Sequence, residues 1–281
     1  MRPHQWVKNL FVIAPLVFAK ELGDPGPLLR TLLAFGLFCL ASSTVYVLND
    51  LADLEADRAH PIKRMRPIAS GAVSESTARG LALGLAIVSL GGSAALGPWV
   101  LAATAGYLTL NLAYTLRLKR VAYVDVLCIA AGFELRVLSG TFAAEVEPTA
   151  YLLLVTFLLA SFLGFGKRMH ELMQGEGAKK QRSVLAHYRD RTLRALLYGT
   201  AAATVITYIV YTLDPLTAES FGTKYLVATA PMPLFGVWRF LYIIRSRPGS
   251  ESPTEEMLRD LPFLANLLLW GVAVLAVIYL G

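Results

Sequence analysis

Residues 28–71 read LLRTLLAFGLFCLASSTVYVLNDLADLEADRAHPIKRMRPIASG. Up to Leu48 the stretch is almost wholly apolar, and about 20 such residues cross the hydrocarbon core of a bilayer as one helix. From Asn49 onward oxygen-bearing side chains crowd in: Asn49, Asp50, Asp53 and Asp57, followed at once by Lys63, Arg64 and Arg66. At about 100° per residue, Asn49, Asp53, Tyr46, Asp57 and Asp50 share roughly a quarter of a helix circumference, while Glu55 points away. The face from Asn49 to Asp57 is about 12 Å long at the helical rise. Hard carboxylate and amide oxygens at that density suit Mg²⁺, which keeps several waters and is commonly completed by substrate phosphates. The cations beyond supply the other half of a diphosphate site. The pattern predicts a metal–diphosphate site at the mouth of a membrane helix.

The remainder of the chain extends this reading. Its 281 residues are 56% hydrophobic and 16% charged, with mean hydropathy +0.54, a balance foreign to a soluble domain of this size. Apolar segments of spanning length fall at about 5–19, 28–52, 77–97, 99–116, 122–143, 149–166, 193–213, 224–244 and 261–280. They predict an all-α polytopic membrane bundle of about nine transmembrane helices, with residues 1–281 forming a single integral membrane domain. The first segment holds Lys8 and Pro15 and suits a tilted or interfacial position. It runs into Lys20-Glu21 rather than a small-residue cleavage site, so it is not read as a signal peptide.

Net charge is +6, and its placement matters more than its size. Threading nine helices from a cytosolic N-terminus puts the cations of 58–79, 117–120, 167–194 and 245–259 on the side of Arg2 and Lys8. The opposite loops hold Lys20, Arg30 and Lys224 among Asp24, Glu145, Glu147, Asp214 and Glu219. This asymmetry predicts a multi-pass protein of the cell membrane with N-terminus and acidic motif in the cytoplasm. Cations that hug helix ends argue for a lipid partner and against nucleic acid. Cys39 and Cys128 both fall within predicted helices, so neither a disulfide framework nor a metal-thiolate site follows.

Other constellations carry two readings each. The segment after the sixth apolar run begins GFGKRMHEL, where Lys167 and Arg168 read as anion ligands. Arg189, Arg191 and Arg194, which re-enter the membrane, read as ordinary anchors on the cytoplasmic side. Arg136 sits mid-helix on one stripe with Asp125, Gly132 and Ser139. An ionised arginine at that depth faces either an acidic partner or a polar cavity holding an anion. Arg239 has the same two readings, with pairing favoured. Trp6 reads as an interfacial anchor, and Lys8 as either snorkelling to headgroups or reaching a phosphate. Tyr114, Arg117, Lys119, Arg120 and Tyr123 crowd one turn, anchoring helices or making a doorway for an anionic headgroup.

Asn49-Asp50-x-x-Asp53-x-x-x-Asp57 followed by His60-Pro61-x-Lys63-x-x-Arg66-Pro67-Ile68-Ala69-Ser70-Gly71 resembles the UbiA superfamily of intramembrane prenyltransferases. The resemblance covers essentially the whole chain and implies a nine-helix bundle with a Mg²⁺–diphosphate site facing the cytosol. Relatives acting on aromatic acceptors carry a second aspartate-rich motif after helix six, where this chain reads Lys167-Arg168-Met169-His170-Glu171-Leu172. With the opening Arg2-Pro3-His4-Gln5-Trp6-Val7-Lys8-Asn9, that departure is similar to a phosphoribosyltransferase branch of the family. The branch implies transfer of 5-phosphoribosyl from phosphoribosyl pyrophosphate to a polyprenyl (decaprenyl) phosphate, feeding arabinose donors of a cell wall. It implies Mg²⁺ on Asn49, Asp53 and Asp57, catalytic roles for Asp50, Asp53 and Asp57, and donor contacts from Lys8, Tyr46, Asn49, Lys63 and Arg66. Lys119, Tyr123, Arg136, Lys167 and Arg182 would hold the lipid phosphate. Extra phosphates on donor and acceptor call for Lys and Arg rather than a second metal cage.

Two rivals remain at this point. An aromatic-acceptor prenyltransferase predicts the second acidic motif that is missing. A lipid transporter would suit charges within membrane helices but leaves the dense oxygen face without a role. A homo-oligomer is compatible with these features and not required by them.

Overall fold

The computed structural model describes residues 3–174, 183–246 and 253–281, and among them every regular element is helical. Several helices start where a short polar side chain precedes an apolar run, because its oxygen accepts an otherwise orphaned amide hydrogen. Asp24 accepts from Gly26 N at 2.8 Å to open α2 (Pro25–Ala52). Ser74 does the same for α4 (Glu75–Leu96), accepting from Thr77 N at 3.1 Å. Thr149 caps α7 (Ala150–Met173), and Asp260 caps α12 (Leu261–Leu280). Between these lie α1 (Ala14–Phe18), α3 (Leu54–Ala59), α5 (Pro98–Leu116) and α6 (Val124–Ala144). Later come α8 (Asp190–Leu213), α9 (Pro215–Phe221), α10 (Pro231–Ser246) and α11 (Pro253–Met257).

Among the described residues seven helices, rather than about nine, are long and apolar enough to cross a membrane: α2, α4, α6, α7, α8, Tyr225–Ser246 and α12. The two differences have local causes. α5 is a 19-residue helix that spends Tyr107, Asn111 and Thr115 on one polar face. The first apolar run becomes a 3-10 helix, Pro3–Val12, followed by the five-residue α1. A third difference lies at Lys167, expected in a loop: α7 continues to Met173 and carries Lys167 and Arg168 within the helix.

The chain divides into two compact units. The first is Met1–Leu118 with Leu135–Pro148, the second Lys119–Glu134 with Thr149–Gly281. In the first, α2 packs on α4 and α5, and the core is Val12, Phe38, Val45, Tyr107 and Ala143 among others. The N-terminal 3-10 helix lies so close to α6 that a Cβ at Gly140 would stand 1.8 Å from the Val12 carbonyl oxygen, so glycine is required there. In the second unit, α7 packs on α8 around Phe162, Phe165, Leu193, Leu197 and Phe240.

Candidate metal and phosphate site

The acidic motif does not run along one straight helix. α2 ends at Ala52, Asp53 turns with φ −99° and ψ 12°, and α3 resumes at Leu54. The i→i−4 bonds nevertheless persist, with Asp53 N donating to Asn49 O at 2.9 Å and Asp57 N to Asp53 O at 2.8 Å. Asn49, Asp53 and Asp57 therefore still occupy successive turns. Leu54 buries itself with Val47, Ile68, Ala78 and Ala82, which ties the motif to the loop that follows it.

That loop returns its cation to the motif. Lys63–Met65 form a 3-10 turn ending at Arg66, whose backbone is extended (φ −62°, ψ 143°), the conformation favoured before a proline. Arg66 Nη1 donates to Asp57 Oδ2 at 2.5 Å and to Asp50 Oδ1 at 3.3 Å. Asp57 is 4% exposed, so this ion pair is shielded from water on the carboxylate side. Gly71, at φ +80°, closes the turn in a conformation glycine adopts freely. His60 is consumed locally, its Nδ1 accepting from the amides of Ile62 and Lys63 at 3.2 Å. Lys63 is exposed beside it.

Asn49 meets α5. The Thr115 hydroxyl lies in hydrogen-bond contact with Asn49 Oδ1 and 2.8 Å from the Asn111 carbonyl oxygen; with one hydrogen to give, it donates to one of these two acceptors at a time. Asn111 Nδ2 in turn donates to Tyr107 O at 2.8 Å. Tyr107, Asn111 and Thr115 recur every four residues, a polar ladder along α5 that the sequence reading missed and whose spacing was the available signal.

Among the described residues, no three His, Cys, Asp or Glu side chains are gathered closely enough to hold a metal ion. The donor set still fits Mg²⁺: the oxygens are hard, they lie on successive turns, and two carboxylates already share one cation, the Arg66 guanidinium. Tyr46 sits half-buried one turn before Asn49 and Asp50.

Arg136 is 5% exposed in α6. Its Nε donates to Asn9 Oδ1 at 2.8 Å, its Nη2 to Tyr107 OH at 3.0 Å, and its guanidinium carbon lies 4.6 Å from the Tyr107 ring centre. Asn9 Nδ2 continues to Ser42 Oγ at 3.2 Å, and Trp6 Nε1 to Ser43 Oγ at 3.2 Å. Trp6 is thus a hydrogen-bonded clasp onto α2, beyond the anchor expected of it. The half-buried Lys8 rides on this fixed segment.

In the second unit Arg168 is 1% exposed and is fully engaged inside the protein. It donates to Asp125 Oδ2 at 2.7 Å and to Glu171 Oε2 at 2.5 Å. Asp125 also accepts from Tyr188 OH. Burial first, then this bond to a carboxylate, pushes the Tyr188 phenol above its ordinary value. Tyr188 OH in turn accepts from Tyr123 N at 3.0 Å, and Tyr123 OH accepts from Arg189 N at 3.3 Å. The anion-ligand reading of Arg168 is corrected: a buried carboxylate takes it. Asp125, placed on the Arg136 stripe by the sequence, pairs with Arg168 instead. Lys119, Tyr123 and Lys167 are half-buried, and Arg182 lies outside the described residues. Arg239 is paired as favoured, bidentate on Asp260 at 2.9 and 3.0 Å.

Against this geometry the comparisons are specific. Residues 9–267 match the UbiA prenyltransferase family. A decaprenyl-phosphate phosphoribosyltransferase of Mycolicibacterium smegmatis is 34% identical, over 99% of this chain and 91% of its own. Another of that name, from Corynebacterium glutamicum, is 33% identical over 100% of this chain and 86% of its own. A UbiA homolog from Archaeoglobus fulgidus bound to DMAPP and Mg²⁺ superposes with TM-score 0.73 over 99% of this chain and 96% of its own; at 20% identity it speaks for the fold. The chain belongs to the UbiA prenyltransferase family, and with seven apolar spans among the described residues it is a multi-pass membrane protein.

Proposed function

We propose that this protein transfers the 5-phosphoribosyl group of phosphoribosyl pyrophosphate to the phosphate of a polyprenyl phosphate, releasing pyrophosphate, for arabinan-precursor synthesis. The observation that carries the reading is end-to-end similarity to enzymes named decaprenyl-phosphate phosphoribosyltransferase at 34% and 33% identity. The site chemistry supports it. Asn49, Asp53 and Asp57 would hold Mg²⁺, with Asp50 beside them, and the ion would supply charge neutralisation for the leaving diphosphate. Arg66 and Lys63 grip the same diphosphate, and Lys8 and Tyr46 orient the donor.

The bond broken joins the ribose anomeric carbon to the diphosphate oxygen; the bond formed joins that carbon to an acceptor phosphate oxygen. An ionised acceptor phosphate is already nucleophilic, so the protein needs no general base. Its work is charge stabilisation on the leaving group and alignment of two anions that repel each other. Lys119, Tyr123 and Lys167 are proposed contacts for the lipid phosphate. Arg136, expected on the lipid phosphate, is 5% exposed and donates to Asn9, and is read instead as fixing the segment that carries Lys8. The N-terminus and motif face the cytosol, as the Lys/Arg distribution supports.

The test is direct. Purified protein with Mg²⁺, phosphoribosyl pyrophosphate and polyprenyl phosphate should yield a phosphoribosylated lipid by mass spectrometry, and none with EDTA. A prenylated aromatic acid made from a prenyl diphosphate, with no phosphoribosyl lipid, would replace this reading with the aromatic-acceptor one.

A further inference from the structure

We infer that Arg66 occupies the cation seat between Asp50 and Asp57 before metal binds, and leaves it for the diphosphate when metal arrives. The inference rests on the metal–diphosphate reading of the Asn49–Asp57 face and assigns that face a built-in order of events. Its basis is geometric. The Arg66 Nη1 stands 2.5 Å from Asp57 Oδ2 and 3.3 Å from Asp50 Oδ1, bridging carboxylates that flank the break in the helix. A divalent ion on that Asp57 oxygen, at its usual distance of about 2.0–2.1 Å, would compete with the guanidinium for the same charge and repel it. With the guanidinium in place Asp57 is 4% exposed, so little of it is open to bulk water.

Arg66 can move where Asp57 cannot. Its side chain is 29% exposed, while its backbone is held by the Lys63 carbonyl at 3.0 Å and by Ser70 N donating to its own carbonyl at 2.8 Å. A displaced guanidinium therefore swings on a fixed pivot at the site mouth. There it meets the ligand for which its planar fork is best matched, a phosphate group. Metal alone must break the Arg66 ion pair. Metal with diphosphate gives the freed arginine a new partner. Linkage then makes each tighten the other.

Substitution of this one residue should move the two affinities in opposite directions. Purified wild type, Arg66→Met, Arg66→Gln and Arg79→Met are titrated with Mn²⁺, with free Mn²⁺ followed by electron paramagnetic resonance. Retention of labelled pyrophosphate is then measured at saturating Mn²⁺. Without pyrophosphate, Arg66→Met should bind Mn²⁺ about tenfold more tightly than wild type, the scale of one charge-assisted hydrogen bond removed as a competitor. At saturating Mn²⁺ it should hold pyrophosphate about tenfold more weakly. Arg66→Gln, which keeps a donor for Asp57, should move both affinities the same way by less, and serves if the methionine variant fails to fold. Exposed Arg79, paired with Glu75 on the surface of α4, controls for net charge, and Arg79→Met should stay near wild type. Unchanged or weaker Mn²⁺ binding in both Arg66 variants, or an equal gain in Arg79→Met, overturns the inference. Absence of Mn²⁺ binding in every protein overturns the metal-site reading itself, and this inference with it.

Discussion

Arg168→Met tests whether the second cation after Gly166 holds the fold or the substrate. Arg168 and Asp125 are 1% and 0% exposed and pair at 2.7 Å. Removing the guanidinium leaves a buried carboxylate supported by Tyr188 OH and by Val126 N at 3.0 Å. Breaking one side of a buried pair costs about 3–5 kcal/mol, because the surviving charge keeps its desolvation penalty. The two remaining donors on Asp125 place the loss at the lower end, about 3 kcal/mol. Arg168→Met with Asp125→Asn removes both charges, leaves an amide that can still accept from Tyr188, and should recover about half of that loss or more. The assay is unfolding in detergent, by heat and by SDS titration, with donor binding measured on the folded fraction at low temperature. Stability should fall in each single variant and return in the double, with donor affinity on the folded fraction close to wild type. A single variant as stable as wild type that has lost donor or lipid binding refutes this reasoning and returns Arg168 to the role of anion ligand.

Asp53→Ala should abolish turnover in a protein that still folds, since losing a metal ligand costs several kcal/mol of leaving-group stabilisation; more than about a tenth of the wild-type rate would remove Asp53 from the metal face. Lys167→Ala should weaken productive binding of the phosphorylated lipid by about ten- to a hundredfold, from one charge-assisted contact, and an unchanged KM for that lipid would sink the assignment. Thr115→Val should lower Mn²⁺ affinity by about tenfold with little loss of stability, because Asn49 then lacks the partner that orients it; unchanged Mn²⁺ binding would show that Asn49 needs no such support. Single cysteines in 58–76 and in 183–189, in a protein lacking Cys39 and Cys128, should resist impermeant thiol reagents in intact cells, and labelling of either from outside would reverse the orientation.

What the sequence discloses about this site follows from how far apart in the chain the interacting groups stand. Asn49, Asp53 and Asp57 declare themselves because their neighbours are one turn away, so spacing alone puts them on a shared face. The break at Asp53 escaped the same arithmetic, yet its i→i−4 bonds survive and the face survives with them. Arg66 was legible as a cation near the motif; its seat on Asp57, nine residues back, depends on the extended turn before Pro67 and had to be seen. Arg168 and Arg136 were the difficult cases. Both are arginines in apolar helices, and composition gives them the same two readings. Their fates are decided by Asp125, 43 residues from Arg168, and by Asn9, 127 residues from Arg136. One arginine is matched with a carboxylate and carries fold stability in the second unit. The other donates to Asn9 and Tyr107 and ties the N-terminal segment to α6 within the first unit, where the acidic motif lies. Two arginines set alike in apolar helices thus do different structural work, one paired with a carboxylate and one pinning the segment that carries Lys8, and only the distant partner tells them apart.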